Sequence, residues 1–248
     1  MAVFNGEKAL HGPKVTAFTH YNQLFDLLAL GHAETNTTGR PLRVAYDSDK
    51  FKDKVIKMGP WSFDLGEIFN GLDAFPVKVG ELDSRAMVHG AELLKRGHNV
   101  GLAPQGRTVL SYDEKPKVMG GVGVISMLGG APIQPTAIIG NVKRIPYYGE
   151  RLFEDNDYLP TIYVPHIGIT NKYAVRYGEP VDMPEEAKDF KLENLDRVRN
   201  EETDREEIVI PRELFSIASK YRRQWEPKFY ENFVRAVDDF ANTYGHKP

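Results

Sequence analysis

The chain contains no cysteine, which excludes disulfides, zinc–thiolate centres and a cysteine nucleophile. It also lacks any apolar run long enough to span a bilayer, and the opening stretch MAVFNGEKALHGPKV has no apolar core of signal-peptide length. The expectation is a cytoplasmic protein, attached to membrane at most peripherally. Nor is there an excess of one charge. The formal net charge is −3 and the sequence pI is near 6.2, so nothing draws the whole molecule to nucleic acid, and any anion site must be local.

Familiar catalytic signatures are missing as well. There is no G-x-S-x-G elbow, no H-E-x-x-H metal motif and no G-x-x-x-x-G-K-[ST] phosphate loop. The string Gly121-Val122-Gly123-Val124-Ile125-Ser126 comes nearest to a dinucleotide fingerprint, but it lacks the third glycine and follows a charged loop instead of a strand. It reads as close helix packing. His11, His32, His89, His98, His166 and His246 show no paired ligand spacing among themselves. No metal and no bound cofactor are expected.

What is present is a chain of 248 residues with 41% hydrophobic content, enough for one sizeable core in a single domain. Val15 to Thr19 reads as a strand that stops at His20, and Gln23 to Ala33 as a helix; Thr35 to Pro41 reads as a polar loop and Leu42 to Tyr46 as a strand. Trp61 to Asn70 predicts a helix, with Trp61, Leu65, Ile68 and Phe69 turned inward, and Phe75 to Val79 a strand. Asp83-Ser84 can cap a helix that runs to Arg96 and is terminated by Gly97, and Asn99 to Ala103 returns as a strand. Met119 to Leu128 is a helix and Pro132 to Gly140 a strand, while Thr161 to Ile167 and Tyr173 to Tyr177 suggest a late antiparallel pair. The β-α-β alternation predicts an α/β fold, with a mixed, mostly parallel central sheet flanked by helices.

Residues 182–211 form a charged connector, exposed or partly disordered, between a core at 1–181 and a C-terminal segment at 212–248. Leu214 to Asn242 reads as one long or broken amphipathic helix, with Pro227 as the interruption. Two readings stand for it. The aromatic stripe packs on the sheet, or, with Lys220, Arg222 and Arg223 beside it, the helix rests on anionic lipid.

His20 stands apart because it lies at a strand-to-helix corner near Asp26. In a continuous helix six residues would place the two side chains on opposed faces, so they can meet only across a turn. Across that turn, the carboxylate would hold one ring nitrogen's proton and leave the other nitrogen free as a base. The alternative is a first-turn carboxylate favoured by the helix dipole beside a polar strand end.

Taken together the motifs resemble the glycerophospholipid acyltransferase family, which includes lysophosphatidic acid acyltransferases and soluble glycerol-3-phosphate acyltransferases. The resemblance runs from about Val15 to Val181. The family's first motif is a histidine and an aspartate with four residues between them, matched here by His20 and Asp26, which have one residue more between them. Its third motif, F-P-E-G-T-R-S, is similar to Ala103-Pro104-Gln105-Gly106-Arg107-Thr108-Val109, with glutamine for glutamate and the Arg-Thr order reversed. Phe75-Pro76-Val77-Lys78 resembles the second motif and Ala131-Pro132-Ile133-Gln134-Pro135-Thr136-Ala137 the fourth.

The resemblance implies a glycerolipid acyltransferase-like fold and the chemistry of phospholipid synthesis. A fatty acyl group would pass from acyl-CoA or acyl carrier protein (acyl-ACP) to the hydroxyl of glycerol 3-phosphate or lysophosphatidate. His20 would be the base and Asp26 its orienting carboxylate, Gly106 would mark the oxyanion turn, and Lys78, Arg107 and Gln105 would bind the acceptor phosphate. The thioester enters as co-substrate. A second reading keeps the fold and drops the chemistry, as a lipid- or acyl-thioester-binding protein.

Overall fold

The computed structural model describes residues 1–245 apart from 21–23, 49–54, 59–60, 65–66, 68, 70, 72–73, 79–82, 107–111, 113–114, 116, 141–171 and 201–204. Its centre is a seven-stranded sheet. The strands are β1 (Ala2–Phe4), β2 (Val15–Phe18), β3 (Leu42–Asp47), β6 (Phe75–Val77), β7 (Asn99–Leu102), β8 (Ile133–Gly140) and β9 (Tyr173–Tyr177), in the order β1-β9-β8-β2-β7-β3-β6. All neighbours run parallel except β8 and β9. The protein is therefore an α/β domain with a mixed, mostly parallel sheet.

Four helices accompany the sheet among the described residues: α1 (Leu24–Thr38), α2 (Ser84–Lys95), α3 (Gly121–Gly129) and α4 (Arg212–Tyr244). Alternation along the strands sorts them onto two faces. Val15 and Ala17 of β2 point to a core shared with Ala91 and Leu94 of α2, Val124 and Ile125 of α3, and Tyr221 and Trp225 of α4. Phe18 points the other way, to Leu30 and Ala33 of α1. Every residue of β8 is buried, as expected of a strand covered on both sides.

Local chemistry explains the helix ends. Asp83 Oδ1 accepts the Ala86 N–H at 3.0 Å and starts α2. Helix α1 runs past Thr35, where a loop is expected, to Thr38. Thr38 Oγ1 donates to Glu34 O at 2.9 Å within the last turn, and the helix gives way only at Gly39, whose φ is +71°. A run of Thr and Asn lowers helix propensity too little to outweigh the packing of Leu30 and Ala33.

Three further expectations are corrected. Trp61–Asp64 is a strand, β5, paired antiparallel with β4 (Val55–Met58) and not the start of a helix. Aromatic and β-branched residues suit a hairpin as well as a helical stripe, and only the pairing decides. The charged stretch after Val181 contains a second hairpin, β10 (Arg197–Asn200) with β11 (Arg205–Ile208), and it places Ala187, Leu192, Leu195 and Ile210 in the core. Helix α4 continues through Pro227 for 33 residues. The backbone bond lost there is outweighed by burial of Tyr221, Trp225, Phe229 and Phe233 on both sides of it.

That same burial turns the aromatic stripe of α4 onto the sheet, leaving Val234 as its exposed large apolar residue. Among the described residues no helix is long and apolar enough to cross a membrane. The expected strand from Thr161 to Ile167 lies outside the described residues, and Tyr173–Tyr177 pairs instead with β8 and β1.

Candidate active site

In open α/β sheets ligands bind beyond the carboxyl ends of parallel strands, and three of the residues singled out from the sequence lie there. His20 follows β2, Gln105 follows β7 and Lys78 follows β6. The end of β2 is held firmly to β8. Thr19 N–H donates to Thr136 O at 3.2 Å, its hydroxyl donates to Ile138 O at 3.2 Å, and that hydroxyl accepts the Ile138 N–H at 2.8 Å. On its other side the His20 N–H donates to Gln105 Oε1 at 3.0 Å. The imidazole thus leaves a backbone fixed from both neighbouring strands.

His20 Nδ1 lies 3.2 Å from Asp26 Oδ2, so the two side chains meet despite the extra residue in the motif. Asp26 is fully buried in the first turn of α1, whereas the His20 side chain is 20% exposed. The carboxylate therefore meets the ring on its inner side, and Phe18 packs edge-on against it with ring centroids 6.1 Å apart. With the proton on Nδ1, Nε2 carries the lone pair. Nearby, burial pushes the Tyr173 hydroxyl well above the ordinary phenol value, and the Asp26 carboxylate and the neighbouring Tyr112 phenol push it further. Tyr173 stays a neutral phenol beside the pair.

Gln105 has the glutamine's two functions split. Its oxygen fixes His20, and its Nε2 is buried without a hydrogen-bond partner. Gly106 adopts a φ of +66°, a conformation that favours glycine, and its N–H donates to Ala103 O at 3.1 Å. In this conformation Gly106 shapes the turn with its amide already engaged.

Lys78 is exposed, and its backbone N–H donates to Asp83 Oδ2 at 2.9 Å. In the order β2-β7-β3-β6 its strand is three places from that of His20, roughly 14 Å at about 4.8 Å per strand. Arg107 lies outside the described residues. The structure thus brings together His20, Asp26 and Gln105, sets Gly106 beside them and puts Lys78 at the β6 edge of the sheet, away from them.

A cleft of about 580 Å³ opens next to Gln105 and Gly106, and its other walls include Lys117, Gly120 and Arg222. Sequence reasoning gave Lys117 no site and read Arg222 only as part of a lipid-facing helix, because one lies in a charged loop and the other on a helix more than a hundred residues later. Among the described residues no group of three His, Asp or Glu side chains could hold a metal ion.

No protein-family model matches the chain, and no curated protein sequence matches it. Among solved structures it is similar to the 1-acyl-sn-glycerophosphate (LPA) acyltransferase PlsC from Thermotoga maritima, at 14% identity and a TM-score of 0.40, over 91% of this chain and 70% of that one.

Proposed function

We propose that the chain is an acyltransferase that moves a fatty acyl group from a thioester, acyl-CoA or acyl-ACP, to the hydroxyl of glycerol 3-phosphate or lysophosphatidate. The observation that carries this reading is the 3.2 Å contact between His20 Nδ1 and the buried Asp26, on a ring that still reaches solvent at the carboxyl ends of parallel strands. The motif resemblance supplies the reaction class.

His20 Nε2 takes the proton of the acceptor hydroxyl as its oxygen attacks the thioester carbonyl. The imidazolium so formed is stabilised by Asp26, which is held in place by burial and needs no reorganisation. When the tetrahedral intermediate collapses, the C–S bond breaks and His20 returns the proton to the departing sulfur. The products are an ester and a free thiol, and no acyl-enzyme forms. Gln105 acts through position, since its oxygen fixes the backbone from which the imidazole projects.

The test offers long-chain acyl-CoA and acyl-ACP to the purified protein against glycerol 3-phosphate and lysophosphatidate. Ester formation with release of one thiol per ester is expected. Release of free fatty acid without acceptor would make it a thioester hydrolase, and binding of thioester without turnover would make it a binding protein.

A further inference from the structure

The cleft beside Gln105 has a chemistry that the proton-transfer step does not use. Helix α3 begins at this cleft with Gly120 as its N-cap. No side chain caps it, and no acidic residue occupies its first turn. Its residues from Val122 to Leu128 are all buried, so the positive end of its dipole has one way out, toward the cleft.

An open helix end alone makes no site, but three other groups converge on it. Gln105 is 4% exposed, and its Nε2 is a buried donor without a partner. The His20 N–H, by donating to Oε1, settles which end of the carboxamide is oxygen, so a ligand oxygen is what Nε2 lacks. Arg222 is held at the cleft wall by two contacts. Its Nη1 donates to Val118 O at 3.3 Å, and its Nε lies 3.5 Å from Glu226 Oε2. Lys117 is exposed at the same cleft. Glu226 offsets part of the Arg222 charge, and Lys117 together with the helix end leaves the cleft cationic in a chain whose net charge is −3.

We infer that this cleft is a phosphate-binding subsite in which Arg222, Lys117, the Gln105 carboxamide and the open end of α3 hold a phosphate group beside His20. Donors that arrive from a helix end, a carboxamide, a guanidinium and an ammonium suit a tetrahedral oxyanion better than a planar carboxylate. The site also gives the C-terminal helix a part in recognition that no motif assigns to it. The proposed acyl transfer enters only as the source of the phosphate, which is carried either by the acceptor or by the carrier arm of the thioester.

The test is titration of inorganic phosphate into the full-length protein at constant ionic strength, followed by calorimetry. Saturable binding is expected. Arg222→Met combined with Lys117→Met, which keeps both aliphatic stems, weakens it by roughly tenfold or more. Gly120→Asp supplies a second, independent variant, because Gly120 has φ −76° and ψ −14° and a Cβ there would meet nothing within 4 Å. Its carboxylate favours the helix end and repels phosphate, so binding is lost while the melting temperature holds or rises.

Competition by glycerol 3-phosphate but not coenzyme A assigns the phosphate to the acceptor, and the reverse assigns it to the donor. A wild-type protein that binds no phosphate at millimolar concentration, or variants that bind it as the wild type does, would overturn the inference. Because binding is read without turnover, a protein that binds phosphate here and transfers no acyl group keeps this site and loses the proposed function. An active enzyme whose Michaelis constants for both substrates are untouched by the Arg222 and Lys117 substitutions keeps the function and loses the site.

Discussion

Helix α1 carries two buried carboxylates about 12 Å apart along its axis, and each meets a cationic or basic partner from the segment of β2. Asp26 faces His20 at the carboxyl end of the strand, and Glu34 faces Lys14 at its start, with Lys14 Nζ 3.1 Å from Glu34 Oε1. Both carboxylates are fully buried. The difference lies in the partner, because His20 is 20% exposed and Lys14 is not exposed at all. Lys14 also donates to Leu10 O at 3.1 Å and sits 5.3 Å from the centre of the Tyr177 ring, while Thr16, Thr38 and Asn99 donate to Glu34. One pair is open on one side and can exchange a proton with a bound hydroxyl. The other is closed and can only hold strand to helix.

That contrast predicts where damage shows. Asp26→Asn removes the charge that orients and stabilises the imidazolium, and should lower the rate of transfer by about 10²–10⁴-fold while leaving thermal unfolding nearly unchanged. Rate and melting curve measured on one preparation check this. Substitution at the closed pair should do the opposite. Lys14→Met leaves Glu34 buried without its cation and should cost about 3–5 kcal/mol in denaturant unfolding, whereas Lys14→Met with Glu34→Leu should recover most of that loss.

The closed pair also sets a pH signature. Burial pushes Glu34 above the ordinary carboxylate value of 4.5 and pulls Lys14 below the ordinary ammonium value of 10.5. As pH rises from 4.5 through the raised Glu34 value, the folded chain keeps a proton that the unfolded chain has released, so stability falls. As pH climbs through the lowered Lys14 value toward 10.5, the folded chain has lost a proton that the unfolded chain keeps, so stability rises. Unfolding followed across pH should therefore be flatter in the double variant, with transfer by the folded protein unaffected.

Two smaller substitutions sharpen the comparison. Gln105→Leu frees the His20 backbone from its anchor on the β7 side, and a displaced imidazole should transfer about 10–100-fold more slowly, with unfolding changed less than by Lys14→Met. Thr38→Val removes a hydroxyl from beside Glu34 and should cost about 1 kcal/mol with no effect on turnover.

The sequence carries the open pair better than the closed one. His20 and Asp26 are six residues apart, so a strand, a corner and a helix make their meeting one of the two readings that the local pattern offers. Lys14 and Glu34 meet only because α1 packs back along β2, which no local pattern reports. The same holds for Gln105, whose contact with the His20 backbone spans 85 residues and depends on β2 and β7 lying side by side. Local periodicity fails where it is shared by two structures. Trp61 begins an apolar spacing that fits a helix, yet Trp61–Asp64 pairs with Val55–Met58. Composition fails where a few apolar residues count for more than many charged ones, as Leu192 and Ile210 do in the charged stretch after Val181.

The most direct test of the account is His20→Ala beside the wild-type protein, with both shown to be folded by circular dichroism, under whichever pairing of acyl thioester and glycerol-phosphate acceptor gives ester. The account predicts that ester formation disappears in the variant while thioester binding remains. An undiminished rate in His20→Ala would contradict it, because the open pair would then be no more than a second strand-to-helix tie.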